Sequence, residues 1–377
     1  MRVLDKKEDC CGCGACYQAC PYKCISMEAD MEGFSYPIIN SKKCVNCGLC
    51  RVCCPSIEQK PKNYIASFAG INLNNDVRMQ SSSGGIFSVL AEKIIELGGV
   101  VIGASYDDNF FVRHEVIDNK NNLYKIRGSK YVQSDTSLIY KKVKDILLND
   151  KYVLFSGTEC QIAGLKKFLK KDYEKLFCVG ILCHGVPSPK VWDKYLRVNE
   201  KKYGNVKNVN FREKSNGWNN YLVKIKYEHN IVEEVFYKND YMKLFLGNID
   251  LRPSCYNCKF KGIERICDLT LGDAWNIQKI TSEFNDDLGT SLIIVNSLRG
   301  SEMLELIKKD IRLISVLQEF IFSENKDSVY SVRANSKRTK FFQSLDKYNF
   351  NKSMNKIRDT IYLKIKRKIK KFLRGNS

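Results

Sequence analysis

From Tyr64 onward the apolar positions change period repeatedly, and each change predicts an element. Tyr64–Ile71 alternates as a strand does. Ser81-Ser82-Ser83-Gly84-Gly85 then leads into a helix with apolar residues at Ile86, Leu90, Ile94 and Leu97. Val100–Ser105 and Phe111–Ile117 read as strands, and Asp135 as the cap of a helix running to about Leu148. Tyr152–Phe155 is a buried strand, followed by the loop Ser156–Gln161 and a helix to about Lys170. Phe177–Leu182 repeats the pattern and ends at Cys183-His184-Gly185. Further strands are expected at Val206–Arg212, Tyr221–Tyr227, Leu269–Leu271 and Leu292–Asn296.

The two ends of the chain differ from this alternation. Ile25 to Asn40 alternates with Gly33 at a turn, predicting one short hairpin in a piece too small to bury much apolar surface. Lys60-Pro61-Lys62 reads as a linker. At the other end Ile357, Ile361, Ile365, Ile369 and Phe372 are spaced as on a helix whose other faces carry Lys and Arg. The predicted division is 1–58, 62–145, 146–320 and a basic helical tail over 325–377.

The first fifty-five residues hold eleven of the seventeen cysteines. Cys10, Cys13, Cys16 and Cys20 precede Pro21, and Cys44, Cys47, Cys50 and Cys54 precede Pro55. Both runs read C-x2-C-x2-C-x3-C-P, the bacterial ferredoxin spacing, in which the fourth cysteine ligates the other cluster. Cys10, Cys13, Cys16 and Cys54 are therefore expected to hold one 4Fe-4S cluster, and Cys44, Cys47, Cys50 and Cys20 a second. Zinc ribbons or a disulfide framework are the alternatives. Cys11, Cys24 and Cys53 fit no ligand position and read as small apolar filler.

An odd cysteine count with no apolar stretch in the first nine residues points to metal ligation in a reducing cytoplasm. No run of eighteen apolar residues exists to span a membrane. Of the formal net charge of +20, residues 351–377 supply +9, leaving a moderately basic body. Such a surface suits an acidic partner. No nucleic-acid motif accompanies it, and none is expected as a partner. The basic tail can lie on an anionic membrane surface or pack one stripe against its own protein.

Four further cysteines stand where an α/β site belongs: Cys160 and Cys183 after predicted strands, and Cys255 and Cys258 as a CxxC. Spacing alone leaves a third cluster, a structural zinc site and unligated core cysteines all open. Ser83-Gly84-Gly85 at a helix start can present N–H groups to a pyrophosphate or be a tight turn. Gly128-Ser129-Lys130-Tyr131 can hold a cofactor chain or be a surface turn. His184 is a candidate acid or base, or a hydrogen-bond partner of a neighbouring sulfur. Asp273 can orient a ligand or cap a turn.

Phe155-Ser156-Gly157-Thr158-Glu159-Cys160-Gln161-Ile162-Ala163-Gly164-Leu165, Cys183-His184-Gly185-Val186-Pro187-Ser188, Arg252 to Cys258 and Asp268-Leu269-Thr270-Leu271-Gly272-Asp273-Ala274-Trp275 together resemble the coenzyme F420 hydrogenase/dehydrogenase beta subunit family. Ser83-Gly84-Gly85 and Gly128-Ser129-Lys130-Tyr131-Val132 match that family's N-terminal region, so the resemblance runs from about residue 62 to 320. An N-terminal two-cluster ferredoxin module is a common attachment in it. Glu159 stands where the family usually has proline, and Ala274 and Asn276 where it has Phe and Gly.

The resemblance implies an α+β protein: a ferredoxin-like dicluster module, a mixed α/β flavin-binding core and the basic helical tail. It implies FAD and a third 4Fe-4S cluster held by Cys160, Cys183, Cys255 and Cys258, with Ser83, Gly84, Gly85, Gly128, Ser129, Lys130, Tyr131, Ser156, Gly157 and Thr158 toward the flavin. Cys178 and Cys267 read as packing. The expected function is an iron–sulfur flavoprotein oxidoreductase between a ferredoxin-type electron carrier and a small two-electron substrate, F420 or another acceptor. An electron-transfer subunit without a substrate site and a zinc-stabilised scaffold are the other readings. The expected location is cytoplasmic, with peripheral contact at the inner membrane surface as an option for the tail.

Overall fold

The computed structural model describes residues 3–59 and 63–358. An eight-stranded mixed sheet carries the body of the protein. Its strands are β3 (Ala66–Asn72), β4 (Val100–Tyr106), β5 (Val112–Ile117), β6 (Val153–Thr158), β7 (Leu176–Ile181), β11 (Leu269–Asp273), β12 (Ser291–Val295) and β13 (Ile311–Ser315), in the order β13-β3-β12-β11-β7-β6-β4-β5. β4, β6, β7 and β11 run parallel, and antiparallel strands flank them on both sides. The parallel strands read as unbroken apolar runs because both faces are covered: Val153, Leu154 and Phe155 have no exposed surface.

Helices Ile86–Glu96 and Leu298–Leu306 contribute to one apolar cluster of this sheet. Helices Ile139–Leu148 and Glu159–Leu169 contribute to another, and the N-terminal residues join them there. Cys11, Cys13, Ala15 and Cys16 share a buried cluster with Tyr140, Ile162 and Leu165. The N-terminal piece holds the antiparallel hairpin β1 (Ile25–Ala29) and β2 (Ser35–Ile39), with Gly33 at φ +85° in its turn. It borrows a core from the sheet's helices, which offsets its small size.

A second, three-stranded antiparallel sheet is formed by β8 (Val206–Glu213), β9 (Leu222–Tyr227) and β10 (Ile231–Val235). Trp192, Tyr241, Phe341, Leu345, Met354 and Ile357 pack in its apolar cluster. Ile357, where the tail's helical spacing begins, is thus buried against the protein. The rest of that spacing, and the expected linker 60–62, lie outside the described residues. No helix among the described residues is long and apolar enough to cross a membrane.

Three expectations shift. The helix after Asp135 begins at Ile139, because the Asp135 carboxylate instead accepts from Ser137 N–H and hydroxyl at 2.8 and 2.5 Å. β6 continues through Ser156-Gly157-Thr158, and the helix starts at once behind a capping box formed by Thr158 and Gln161. β10 and β13 were not predicted. β10 is a mostly solvated edge whose Glu233-Glu234 pair breaks the alternation.

Candidate functional site

Both cysteine runs are wound the same way. Gly14 (φ +71°) and Gly48 (φ +73°) each enter a short helix, Ala15–Ala19 carrying Cys16 and Leu49–Val52 carrying Cys50. A side chain in this left-handed conformation is strained, which is why glycine recurs there. Cys54 of the second run stands with the first. Its thiol is pushed up to about 11 by burial, with smaller contributions from Cys11 and Cys10, and the buried Cys16 thiol is raised further by the charges of Cys10, Cys53 and Cys54. Cys20 crosses the other way. Its sulfur lies 3.3 Å from Cys24, which also bonds Cys44, while Cys50 interacts with Cys44 and Cys47. Cys10, Cys16 and Cys54 thus lie near one another, as do Cys44, Cys47 and Cys50, and Cys20 reaches Cys44 through Cys24.

The core cysteines come from three segments. Cys160 lies in the first turn of Glu159–Leu169, Cys183 follows β7, and Cys255 lies within the short 3-10 helix Pro253–Asn257 that Cys258 closes. All four line one cavity of about 40 Å³, enough for more than a single water. Burial raises the Cys183, Cys255 and Cys258 thiols, Cys255 to about 12. Thiols raised this far bind metal only by giving up their protons, so site occupancy and deprotonation are linked. Lys261 donates to the Cys183 and His184 carbonyls at 2.6 and 3.0 Å, placing a cation at the cavity edge. Among the described residues no three His, Cys, Asp or Glu side chains close on the position of a single metal ion. Four sulfurs around a cavity fit a cube held at its corners.

Cys11 was expected to be filler. It lines the same cavity, and its thiol, held well below the usual range, hydrogen-bonds first to Cys13 and then to Cys160. One sulfur thus touches a ligand candidate of the first N-terminal set and one of the core set. Ser56 supports it from 3.8 Å. Arg252, 1% exposed, closes the junction: it donates to the carbonyls of Cys10 and Ser35 at 2.7 and 3.0 Å and to Gln133 at 3.0 Å, and lies 4.4 Å from the Tyr36 ring centre. At Gly164 a Cβ would stand 2.9 Å from Cys13 Sγ, so only glycine lets the module sit this close.

The candidate flavin residues divide. Ser129 N–H donates to Ser82 Oγ at 2.7 Å, joining the Ser83-Gly84-Gly85 and Gly128–Tyr131 loops. Gly85 (φ +81°) caps the helix Ile86–Glu96. Gly84 is required by packing, since its Cβ would meet the Gly70 carbonyl at 2.3 Å. Lys130 donates to the Arg127 and Gly128 carbonyls and is pushed down to about 7 by burial. Ser156, Gly157 and Thr158 belong to β6. Thr158 Oγ1 lies 3.1 Å from Cys160 Sγ, on the cysteine cavity, and the Ser156 carbonyl faces His114 Nε2 at 3.1 Å.

Asp273, at the end of β11, forms a two-pronged pair with Arg212 at 3.0 and 3.3 Å. Arg212 also donates to Tyr131 Oη at 3.2 Å and lies over the rings of Tyr221 and Trp275. Trp218 stacks on Trp275 at 4.5 Å and donates to the Ser82 carbonyl. Sequence reasoning missed Arg212 and Trp218; the signal was a basic residue closing a predicted strand. Buried Arg212 Nε and Tyr106 Oη each have no hydrogen-bond partner among the described residues.

His184 Nε2 meets Asn248 Oδ1 at 2.7 Å, and burial lowers its pKa, favouring the neutral ring. Glu159 Oε1 accepts from Ile266 N–H at 2.6 Å, while its buried Oε2 has no partner among the described residues. Cys178 and Cys267 are buried within the sheet region; Cys267 Sγ lies 3.1 Å from Thr270 Oγ1.

The sequence model for the C-terminal part of the coenzyme F420 hydrogenase/dehydrogenase beta subunit matches residues 150–316. A stretch of 73 residues is 37% identical to the pyruvate synthase subunit PorD of Thermotoga maritima, covering 19% of this chain and 69% of that protein. A solved chain of the F420-reducing NiFe hydrogenase complex from Methanosarcina barkeri aligns at 15% identity and a TM-score of 0.48, over 73% of this chain and 91% of its own. Residues 150–316, the part of the chain that matches the C-terminal region of the coenzyme F420 hydrogenase/dehydrogenase beta subunit family, carry the four core cysteines and Asp273.

Proposed function

We propose that the protein is an iron–sulfur flavoprotein oxidoreductase passing electrons between a ferredoxin-type carrier and a two-electron substrate, coenzyme F420 or another small organic acceptor. The observation that carries the reading is the meeting of Cys160, Cys183, Cys255 and Cys258 on one cavity that Cys11 of the N-terminal module also reaches. The match to the F420 hydrogenase/dehydrogenase family and to a pyruvate synthase subunit supports redox work in company with an electron carrier.

Cys10, Cys13, Cys16 and Cys54 would hold one 4Fe-4S cluster, Cys20, Cys44, Cys47 and Cys50 a second, and the four core cysteines a third. When bound, such clusters supply single-electron transfer, and FAD supplies the exchange between single electrons and hydride pairs. The protein's own part is placement. Arg252 and Gly164 hold the first site against the core, and Lys261 sets a positive charge beside Cys183. Ser82, Ser129, Lys130 and Tyr131 form the cradle assigned to FAD, with Arg212 clamped by Asp273 at its edge.

The test is anaerobic purification followed by reduction and a screen of acceptors that includes F420. The reading expects about twelve irons per chain, a flavin released on denaturation, and reoxidation of that flavin by an acceptor. Iron without flavin would point instead to an electron-transfer subunit, and zinc at the core cysteines to a scaffold.

A further inference from the structure

The two cysteine runs are near copies in sequence and opposites in surroundings. In the first, a Cβ at Gly12 would stand 2.6 Å from Arg252 Nη1, and one at Gly14 would stand 2.9 Å from Thr136 Oγ1. Cys13, Cys16 and Cys54 are buried. In the second run a Cβ at Gly48 would meet nothing within 4 Å. Cys47 is exposed, and so is every residue from Ser41 to Gly48 except Cys44. One site is sealed against the body of the protein, and its twin opens to solvent.

The open side has a definite chemistry. Lys23, Lys42, Lys43 and Arg51 are exposed around it. Val45, Val52 and Tyr22 are 55%, 64% and 52% exposed among them. Of these four bases only Arg51 forms an ion pair among the described residues, a loose one to Asp5 at 3.5 Å. A small apolar centre inside a cationic rim gives fast, steered and short-lived association with an acidic partner, the behaviour that shuttling electrons requires.

We propose that this face, centred on Cys47 and rimmed by Lys23, Lys42, Lys43 and Arg51, is the docking surface for a small acidic one-electron carrier protein. The inference rests on the cluster assignment above and adds an order to it. The set Cys20, Cys44, Cys47 and Cys50 faces the carrier, and the set Cys10, Cys13, Cys16 and Cys54 faces the core. One electron leaves the reduced carrier and one is gained by the chain, with no bond made or broken. Flow in the opposite direction uses the same surface.

The experiment uses the full-length, anaerobically purified protein and a purified acidic plant-type 2Fe-2S ferredoxin as the probe. Binding is titrated at low and high salt for the wild type, for K42E/K43E, and for K201E/K347E. The last alters net charge equally on exposed residues of the helices Pro189–Tyr203 and Arg338–Lys347, which meet the N-terminal hairpin at its Met31–Glu32 turn and not at Lys42 and Lys43. Affinity in K42E/K43E is expected to fall about tenfold or more at low salt, while K201E/K347E stays within about twofold of wild type. Unchanged affinity in K42E/K43E, or an equal loss in K201E/K347E, overturns the proposal. Electron paramagnetic resonance of the reduced proteins separates the two layers. Cluster signals present with unchanged docking defeat this inference alone, whereas wild-type protein without cluster signals defeats the assignment beneath it.

Discussion

Arg252 Nε donates to the Cys10 carbonyl at 2.7 Å, tying the segment that carries Cys255 and Cys258 to the start of the first cysteine run. The same guanidinium serves Gln133 and the Ser35 carbonyl, and it is fully enclosed. Arg252→Met leaves those acceptors unpaired in a buried site. Hydrogen bonds from a charged donor contribute roughly 1.5–3 kcal/mol each and are not additive, so a loss of about 3–5 kcal/mol is expected in chemical denaturation. Removing the positive charge also shifts the potential of the first N-terminal cluster downward, which a spectroscopic redox titration reads. An unshifted potential would show that the charge is screened from that site.

Gly164 is the second contact of the same junction. Gly164→Ala forces its Cβ to within 2.9 Å of Cys13 Sγ, and overpacking of this kind costs about 1–3 kcal/mol. The variant is expected to weaken magnetic interaction between clusters of the reduced protein while keeping its iron. Unaltered spectra together with wild-type stability would mean that the module does not seat on this helix.

His114 supplies a pH test away from the cysteines. Its ring bonds Ser134 and the Ser156 carbonyl, stacks on Phe155 at 5.2 Å, and feels the Asp135 charge. Burial lowers its pKa to about 4 from an ordinary 6.5. Between those values the unfolded chain binds a proton that the folded one refuses, so stability rises with pH across that window and is lost as pH falls through it. The loss reaches about 3 kcal/mol below pH 4. His114→Gln should flatten that part of the wild-type denaturation curve; equal slopes in the two proteins would remove His114 as the cause.

The two C-x2-C-x2-C-x3-C-P runs can be read from sequence because they are short-range spacing, and the expectation of crossed cluster sets rests on that spacing. The mixed sheet was legible for a similar reason, since buried parallel strands such as Val153–Thr158 are continuous apolar runs. What long-range packing decides could not be read. Cys11 has no sequence feature distinguishing it from filler, and its role at the junction appears only when Glu159–Leu169 brings Cys160 beside it. Arg212 and Asp273 are 61 residues apart and meet only through the tertiary fold, one on β8 of the small sheet and the other at the end of β11 of the large one. A local rule makes Asp135 a helix cap, whereas in the structure a turn to Ser137 occupies its carboxylate.

Iron and zinc analysis of three oxygen-free preparations tests the central assignment most directly: wild type, Cys11→Ala, and Cys255→Ala/Cys258→Ala. The account predicts about twelve irons in the first two and about eight in the third, without zinc. Wild-type protein with about eight irons and one zinc, or a double variant that keeps its full iron, would contradict it.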